Sequence, residues 1–229
     1  MNTKDEILEK IAQHMMLNSS FADTAGLLDG KMGCVIFFFH FAKYSGKSIY
    51  EKFAYELLDE IYEEISYKTP VGFKDGISGI AWGMDYLISN KFVNADDEDL
   101  LDEIDKLIVK TGVNEIQDTS VESGLKGLAH YVISRKSNTE ISHSMISKDY
   151  VRDLINALFQ VYQNEETILL IKQLHLIIEE TRTQYEHDHL FKKIVSNVVF
   201  DQDQIFCPKR SIGIVNNGYT GIGLHYIME

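Results

Sequence analysis

Four times this chain sets two glycines three residues apart. The pairs are GKMG at Gly30 and Gly33, GISG at Gly76 and Gly79, GLKG at Gly124 and Gly127, and GYTG at Gly218 and Gly221. Successive first glycines lie 46, 48 and 94 residues apart, and the last interval is twice 47. A glycine inside a helix costs roughly 1 kcal/mol relative to alanine, so four such pairs need a structural reason. A fixed period of this size marks repeated supersecondary units. It also places a missing copy near position 171, where the chain reads TILLIKQLHLIIEE and has Ile171 and Leu174 in the glycine positions. A buried helix without glycines is expected there, over Thr167 to Thr181.

Each pair opens a segment that is apolar nearly all round: CVIFFFHFAKY, IAWGMDYLI, LAHYVI and IGLHYIM. Such segments read as helices buried on more than one side. Between them lie one-sided stripes at helical spacing. These are Leu8, Ile11 and Met15; Ile49, Phe53, Leu57, Ile61 and Ile65; Leu100, Ile104 and Ile108; Val151, Leu154, Ile155 and Leu158; and Leu190, Ile194 and Val198. No period-2 run is long enough for a sheet. Five amphipathic helices therefore alternate with five buried ones. The pattern predicts an all-α chain, either a two-layered solenoid or a ring with the buried helices inside. The very apolar inner set favours the ring.

Composition bounds the function. With 229 residues and 45% apolar content the chain can bury a sizeable core, and it reads as one domain over 1–229. A formal charge of -13 repels phosphate backbones, so nucleic acid is not an expected partner. No apolar run approaches the roughly 18 residues of a membrane span. The start, MNTKDEILEK, has no apolar core of a signal peptide. Two cysteines, Cys34 and Cys207, make no disulfide framework. A cytoplasmic location is the expectation, and the oligomeric state is left open.

Residues i and i+3 share one helix face, so each pair leaves a bare patch in a first turn. Two uses follow. A neighbouring backbone packs against the patch, or a ligand reaches the free N–H groups.

DGISGIAWGMDYL and NNGYTGIGLHYI, together with YSGKSIYEKFAYELLDEI leading into an outer helix, resemble the lanthionine synthetase C-like family. The resemblance spans most of the chain and implies an α/α toroid, here a ring or open arc of about five helical hairpins where the family usually has seven. It also implies a central cavity, a peptide or partner protein bound there, and, in the cyclases, zinc. That zinc activates a cysteine thiol for addition to a dehydrated Ser or Thr, because the thiolate is the nucleophile. The family's zinc ligands are two cysteines and a histidine, with one Cys-His pair directly before a Gly-x-x-Gly. Here the dipeptides before the pairs are Leu28-Asp29, Lys74-Asp75, Glu122-Ser123 and Asn216-Asn217. The zinc ligands are not matched, so no cofactor is expected, and the reading is a zinc-less relative that binds or helps process a modified peptide.

The candidate residues cluster around the pairs. Asp29 and Asp75 hold equivalent places in the first two repeats. They are candidates for acid–base work in a cavity hydrolase or lyase of the α/α-barrel type. An aspartate before a helix is also a preferred N-cap. Trp82, His130, Asn217 and His225, with the eight glycines of the pairs, are expected to line the cavity. His130 and His225 with Cys34 would form an unorthodox metal site; satisfied core histidines and a buried small thiol are the simpler reading. His187 and His189, two apart, read as a solvated helix start. A non-catalytic scaffold is the third possibility.

Overall fold

The computed structural model describes residues 3–94, 99–137, 144–181, 185–201, 205–207 and 210–228; the side chain of Leu100, assigned above to a stripe, lies outside them. The chain is all-α: among the described residues there are ten α-helices and no strand. They are α1 Lys4–Asn18, α2 Lys31–Ser45, α3 Ser48–Glu64, α4 Ile77–Ser89, α5 Asp99–Lys110, α6 Leu125–Ser137, α7 Lys148–Phe159, α8 Glu165–Ile178, α9 His187–Ser196 and α10 Tyr219–Met228. The odd-numbered helices carry the amphipathic stripes. Among the even-numbered ones, α2, α4, α6 and α10 each follow a glycine pair's first member. The missing copy forms a helix, α8, as the doubled interval predicts, but over Glu165–Ile178 and buried on one face only. Leu170, Ile171 and Leu174 are buried, whereas Ile168 and Leu169 are 49% and 56% exposed, so the expected all-round burial does not hold there.

The helices fall into two compact units, Met1–Ile65 with Asp188–Glu229, and Ser66–His187. In the first, α2 packs on α3 and α10, and α10 also packs on α1. The last glycine-opened helix thus lies against the first, and the two ends of the chain share one core. In the second unit α4 packs on α6, α6 on α8, α4 on α5 and α7 on α8.

Burial follows chemistry in both units. Leu8, Ile11 and Met15 on α1, and Val151, Leu154, Ile155 and Leu158 on α7, are buried as the stripes require. On α3 the stripe is rotated at its start. Ile49 is 53% exposed, whereas Tyr50, Ala54, Leu57 and Ile61 are buried. Tyr50 takes the inward place because its ring meets Phe38 and Phe41 while its hydroxyl donates to Glu9 Oε1 at 2.7 Å. An aromatic with a satisfied hydroxyl buries more apolar surface than Ile49 would. Two buried cations tie inner to outer helices. Lys31, at the start of α2, reaches Glu60 at 2.7 Å and Glu64 at 2.5 Å on α3. Arg135, on α6, reaches Asp102 at 2.8 Å and Asp105 at 3.2 Å on α5.

The helix starts are capped in two ways, which explains where glycine is needed. Thr3 and Glu6 form a capping box on α1, Ser147 accepts from Tyr150 N–H on α7, and Asn164 accepts from Thr167 N–H on α8. The glycine-opened helices have no side-chain cap at Gly30 or Gly76. Their first N–H groups donate to the loop that precedes them. Because α8 has a side-chain cap, it does without the glycines.

Candidate functional site

The loop before each glycine pair folds back over the first turn of its helix. Lys31 and Met32 N–H donate to Thr24 and Ala25 O at 3.1 and 3.2 Å. Ile77 and Ser78 donate to Pro70 and Val71 O at 2.8 and 3.3 Å, and Leu125 donates to Asp118 O at 3.0 Å. Tyr219 and Thr220 donate to Ser211 and Ile212 O at 2.9 and 3.0 Å. A loop this close leaves no room for a side chain. A Cβ on Gly30, Gly76, Gly124 or Gly218 would fall well under 3.0 Å from the loop carbonyl of Thr24, Pro70, Asp118 or Gly213. Gly33, Gly127 and Gly221 are held the same way under Leu27, Val121 and Ile214. What is required is space, since Gly30 and Gly76 have φ of -130° and -124°. The backbone-packing alternative therefore holds, and the orphan N–H groups of P-loop-like anion sites are already taken by loop carbonyls.

The loops also dock on each other. Phe73 and Lys74 N–H both donate to Glu122 O, at 2.8 and 2.7 Å. Ile214 and Val215 N–H both donate to Leu28 O, at 2.6 and 3.2 Å. In both cases the donors follow a glycine, Gly72 or Gly213, pressed against the neighbouring loop. Gly26, Gly72 and Gly213 precede the pairs, and this additional glycine was a legible signal that pair-counting alone passes over.

Asp29 and Asp75 stand in the turns before α2 and α4, half-buried. They are not N-caps: the caps are Gly30 and Gly76, and the loop carbonyls have replaced the side-chain oxygen. Each aspartate lies beside a glycine of the docking motif, Asp29 Oδ1 3.0 Å from the Cβ position of Gly213 and Asp75 Oδ1 3.2 Å from that of Gly72. Asn217 has a positive φ of 55° and accepts from Val199 N–H at 3.0 Å, which ties the last loop to the end of α9. Gly79 is buried in the first turn of α4. His225 is half-buried, with Phe200 edge-on at 5.5 Å.

Trp82 and His130 occupy one register position, three residues after Gly79 and Gly127, on the adjacent helices α4 and α6. The structure brings them together on a residue the sequence did not single out. Trp82 Nε1–H donates to the Tyr185 hydroxyl at 3.0 Å, and that hydroxyl lies 3.0 Å from His130 Nδ1. Phe73 packs edge-on against Trp82 at 5.6 Å. The His187 ring stands perpendicular to Tyr185 at 5.0 Å. Burial pushes the Tyr185 phenol above its ordinary pKa, so it is a neutral donor and acceptor.

Below this lies a second polar group. His187 Nε2 is 2.9 Å from Asp85 Oδ2 and 2.6 Å from Ser134 Oγ, and the Ser134 hydroxyl donates to Asp85. The solvated reading of His187 is therefore wrong: it is buried, whereas its neighbour His189 is exposed. Asp85 and Ser134 are fully buried, and a partner was needed for their polar atoms. Carboxylate and hydroxyl meet the same imidazole nitrogen. In a hydrolase relay they take opposite nitrogens. This cluster locks the stretch entering α9 onto α4 and α6.

The cysteines do not suit a thiolate-activating metal. Cys34 is fully buried, and its Sγ contacts Thr220 Oγ1 at 3.4 Å and donates to Gly30 O at 3.6 Å. Burial pushes its thiol up to about 11, where a thiolate ligand is disfavoured. Cys207 is exposed in the loop before α10. Among the described residues no group of three or more His, Cys, Asp or Glu is placed to hold a metal ion. No described helix is long and apolar enough to cross a membrane.

Amphipathic and buried helices in alternation, the buried ones opened by glycine pairs under a docked loop, define a helical-hairpin repeat protein. The family model of lanthionine synthetase C-like proteins matches residues 22–192, and the chain belongs to that family. The match takes in three of the glycine pairs and α8. No curated protein sequence matches the chain.

Proposed function

We propose that this lanthionine synthetase C-like chain binds a peptide and does not perform zinc-dependent thioether closure. The observation that carries the reading is the chemistry of the four turns before the glycine pairs. They present Asp29, Asp75, Ser123 and Asn217, and their main chain is used in docking loop to loop and loop to helix. A thiolate-activating zinc takes soft sulfur and imidazole donors, and such a set is missing from these turns. The residues do not fit the metal that the family's cyclases use.

The peptide part of the reading rests on family membership and on the aromatic and imidazole side chains of the second unit, where Trp82, His130 and Tyr185 share one hydrogen-bonded group. Such amphipathic rings supply contact area at low conformational cost.

The test combines metal analysis with binding. Protein dialysed against a weak chelator is expected to hold no stoichiometric zinc and to leave a peptide with cysteine and dehydrated threonine unclosed. The same peptide is expected to raise the melting temperature, because a ligand of the native state stabilises it. One zinc per chain, lost together with ring closure in Cys207→Ala, would overturn the reading.

A further inference from the structure

We propose that the cleft between α4 and α6 is a receptor for a tyrosine side chain of the bound peptide, and that Tyr185 of this chain occupies it as an internal stand-in. The inference rests on the peptide-binding reading and names the side chain recognised.

The cleft matches a phenol atom by atom. Indole N–H is only a donor, so the Trp82 contact at 3.0 Å requires an acceptor oxygen. That leaves the phenolic proton for His130 Nδ1, also at 3.0 Å. A phenylalanine ring offers neither. The walls are aromatic on several sides: Phe73 lies 5.6 Å from Trp82 and 6.3 Å from His130, and His187 meets the Tyr185 ring at 90°. Edge-to-face contacts of this kind favour a flat ring over an aliphatic chain.

The occupant is not part of a helix. Tyr185 and Glu186 are non-helical and precede α9, so the cleft already accepts a main chain outside regular structure. Trp82 is fully buried, while Tyr185 and His130 keep partial exposure. The anchor is separate from the occupant. His187 holds the segment through Asp85 and Ser134, so Tyr185 can leave while that pairing stays intact. Phe73, whose ring packs against Trp82 and His130, belongs to the loop docked on Glu122 next to the glycine pairs.

Trp82 is the chain's one tryptophan, so its emission reports on the cleft. Tyr185→Phe keeps the ring and removes the hydroxyl, and the Trp82 emission is expected to shift. A capped pentapeptide with a central tyrosine is then expected to return that emission to the wild-type spectrum. The same peptide with phenylalanine at the centre should not. By calorimetry the tyrosine peptide should bind the Tyr185→Phe protein about tenfold more tightly than the wild type, the scale of the hydrogen bonds removed from the competitor. Tyr185→Ala, where it folds, should bind it more tightly still. Peptide affinity that ignores both the central residue and the Tyr185 variants would overturn this inference and leave peptide binding standing. No binding of any peptide by any form would overturn both. Refilling of Tyr185→Ala by p-cresol without any peptide effect would show a merely structural tyrosine and would also overturn it.

Discussion

Gly127 turns its bare Cα toward Phe73, and a Cβ built there would lie 2.5 Å from Phe73 Cβ and closer still to Val121 O. Phe73 is fully buried and belongs to the loop of the preceding repeat. Neither it nor a main-chain carbonyl can give way cheaply. Gly127→Ala is therefore expected to cost about 3 kcal/mol, at the upper end for overpacking. Gly112 is the control, since a Cβ there meets nothing nearer than the Glu115 side chain at 3.6 Å. Gly112→Ala should stay within about 0.5 kcal/mol of wild type. Equal denaturation midpoints for the two glycine variants would count against close packing at the pair.

His187→Ala removes the partner of a buried carboxylate and a buried hydroxyl. The expected cost is about 3–5 kcal/mol, because Asp85 is left without its imidazole in a site closed to water. His189→Ala, on the exposed side of α9, should change stability by less than about 0.5 kcal/mol. Urea unfolding of the two variants measures the contrast. Similar midpoints would mean that the cluster is not a lock.

Stability should fall as the pH drops from 6.5 toward 4. His40 on α2 is desolvated, which lowers its pKa from 6.5 to about 4, against a raising effect of Asp188 and with a small lowering one of Lys43. Above 6.5 the residue is neutral in both states and has no effect. Below it the unfolded chain takes a proton that the folded chain refuses, until the folded pKa is reached. The loss is on the order of 3 kcal/mol for the full window. His40→Leu should flatten that part of the melting-temperature profile. An unchanged slope in the variant would assign the acid sensitivity elsewhere.

One thiol of the two should react in the native protein. Cys207 is exposed and Cys34 is buried with its pKa pushed up to about 11, so a thiol reagent should label one site, lost in Cys207→Ala. The second site should appear only on unfolding. Fast labelling of Cys34 would show that the α2–α10 contact opens readily.

The helical alternation was legible because it depends on spacing. The stripes on α1 and α7, and α8 itself, follow from apolar residues at helical period and from a doubled interval. The glycine pairs announced a bare face, though not what covers it. The rotation of α3 that buries Tyr50 and exposes Ile49 was hidden, since both are apolar enough for either place and the choice depends on Phe38, Phe41 and Glu9 from other segments. Asp29 and Asp75 looked like caps because sequence shows the residue before a helix and not the loop carbonyls competing for the same N–H groups.

By itself the sequence determined that this is an all-α chain of helical hairpins, which helices the glycine pairs open, that one repeat lacks its glycines, and which family it belongs to, because period, apolarity and motif are properties of neighbours along the chain. The tertiary structure decided what the glycines make room for, which of His187 and His189 is buried, and that Trp82, His130 and Tyr185 share one hydroxyl. The histidine and tyrosine groups join residues between 48 and 103 positions apart along the chain, and a hydrogen bond over such a separation exists only once the helices have packed; the glycines meet nearer loop carbonyls, which the spacing along the chain does not reveal either.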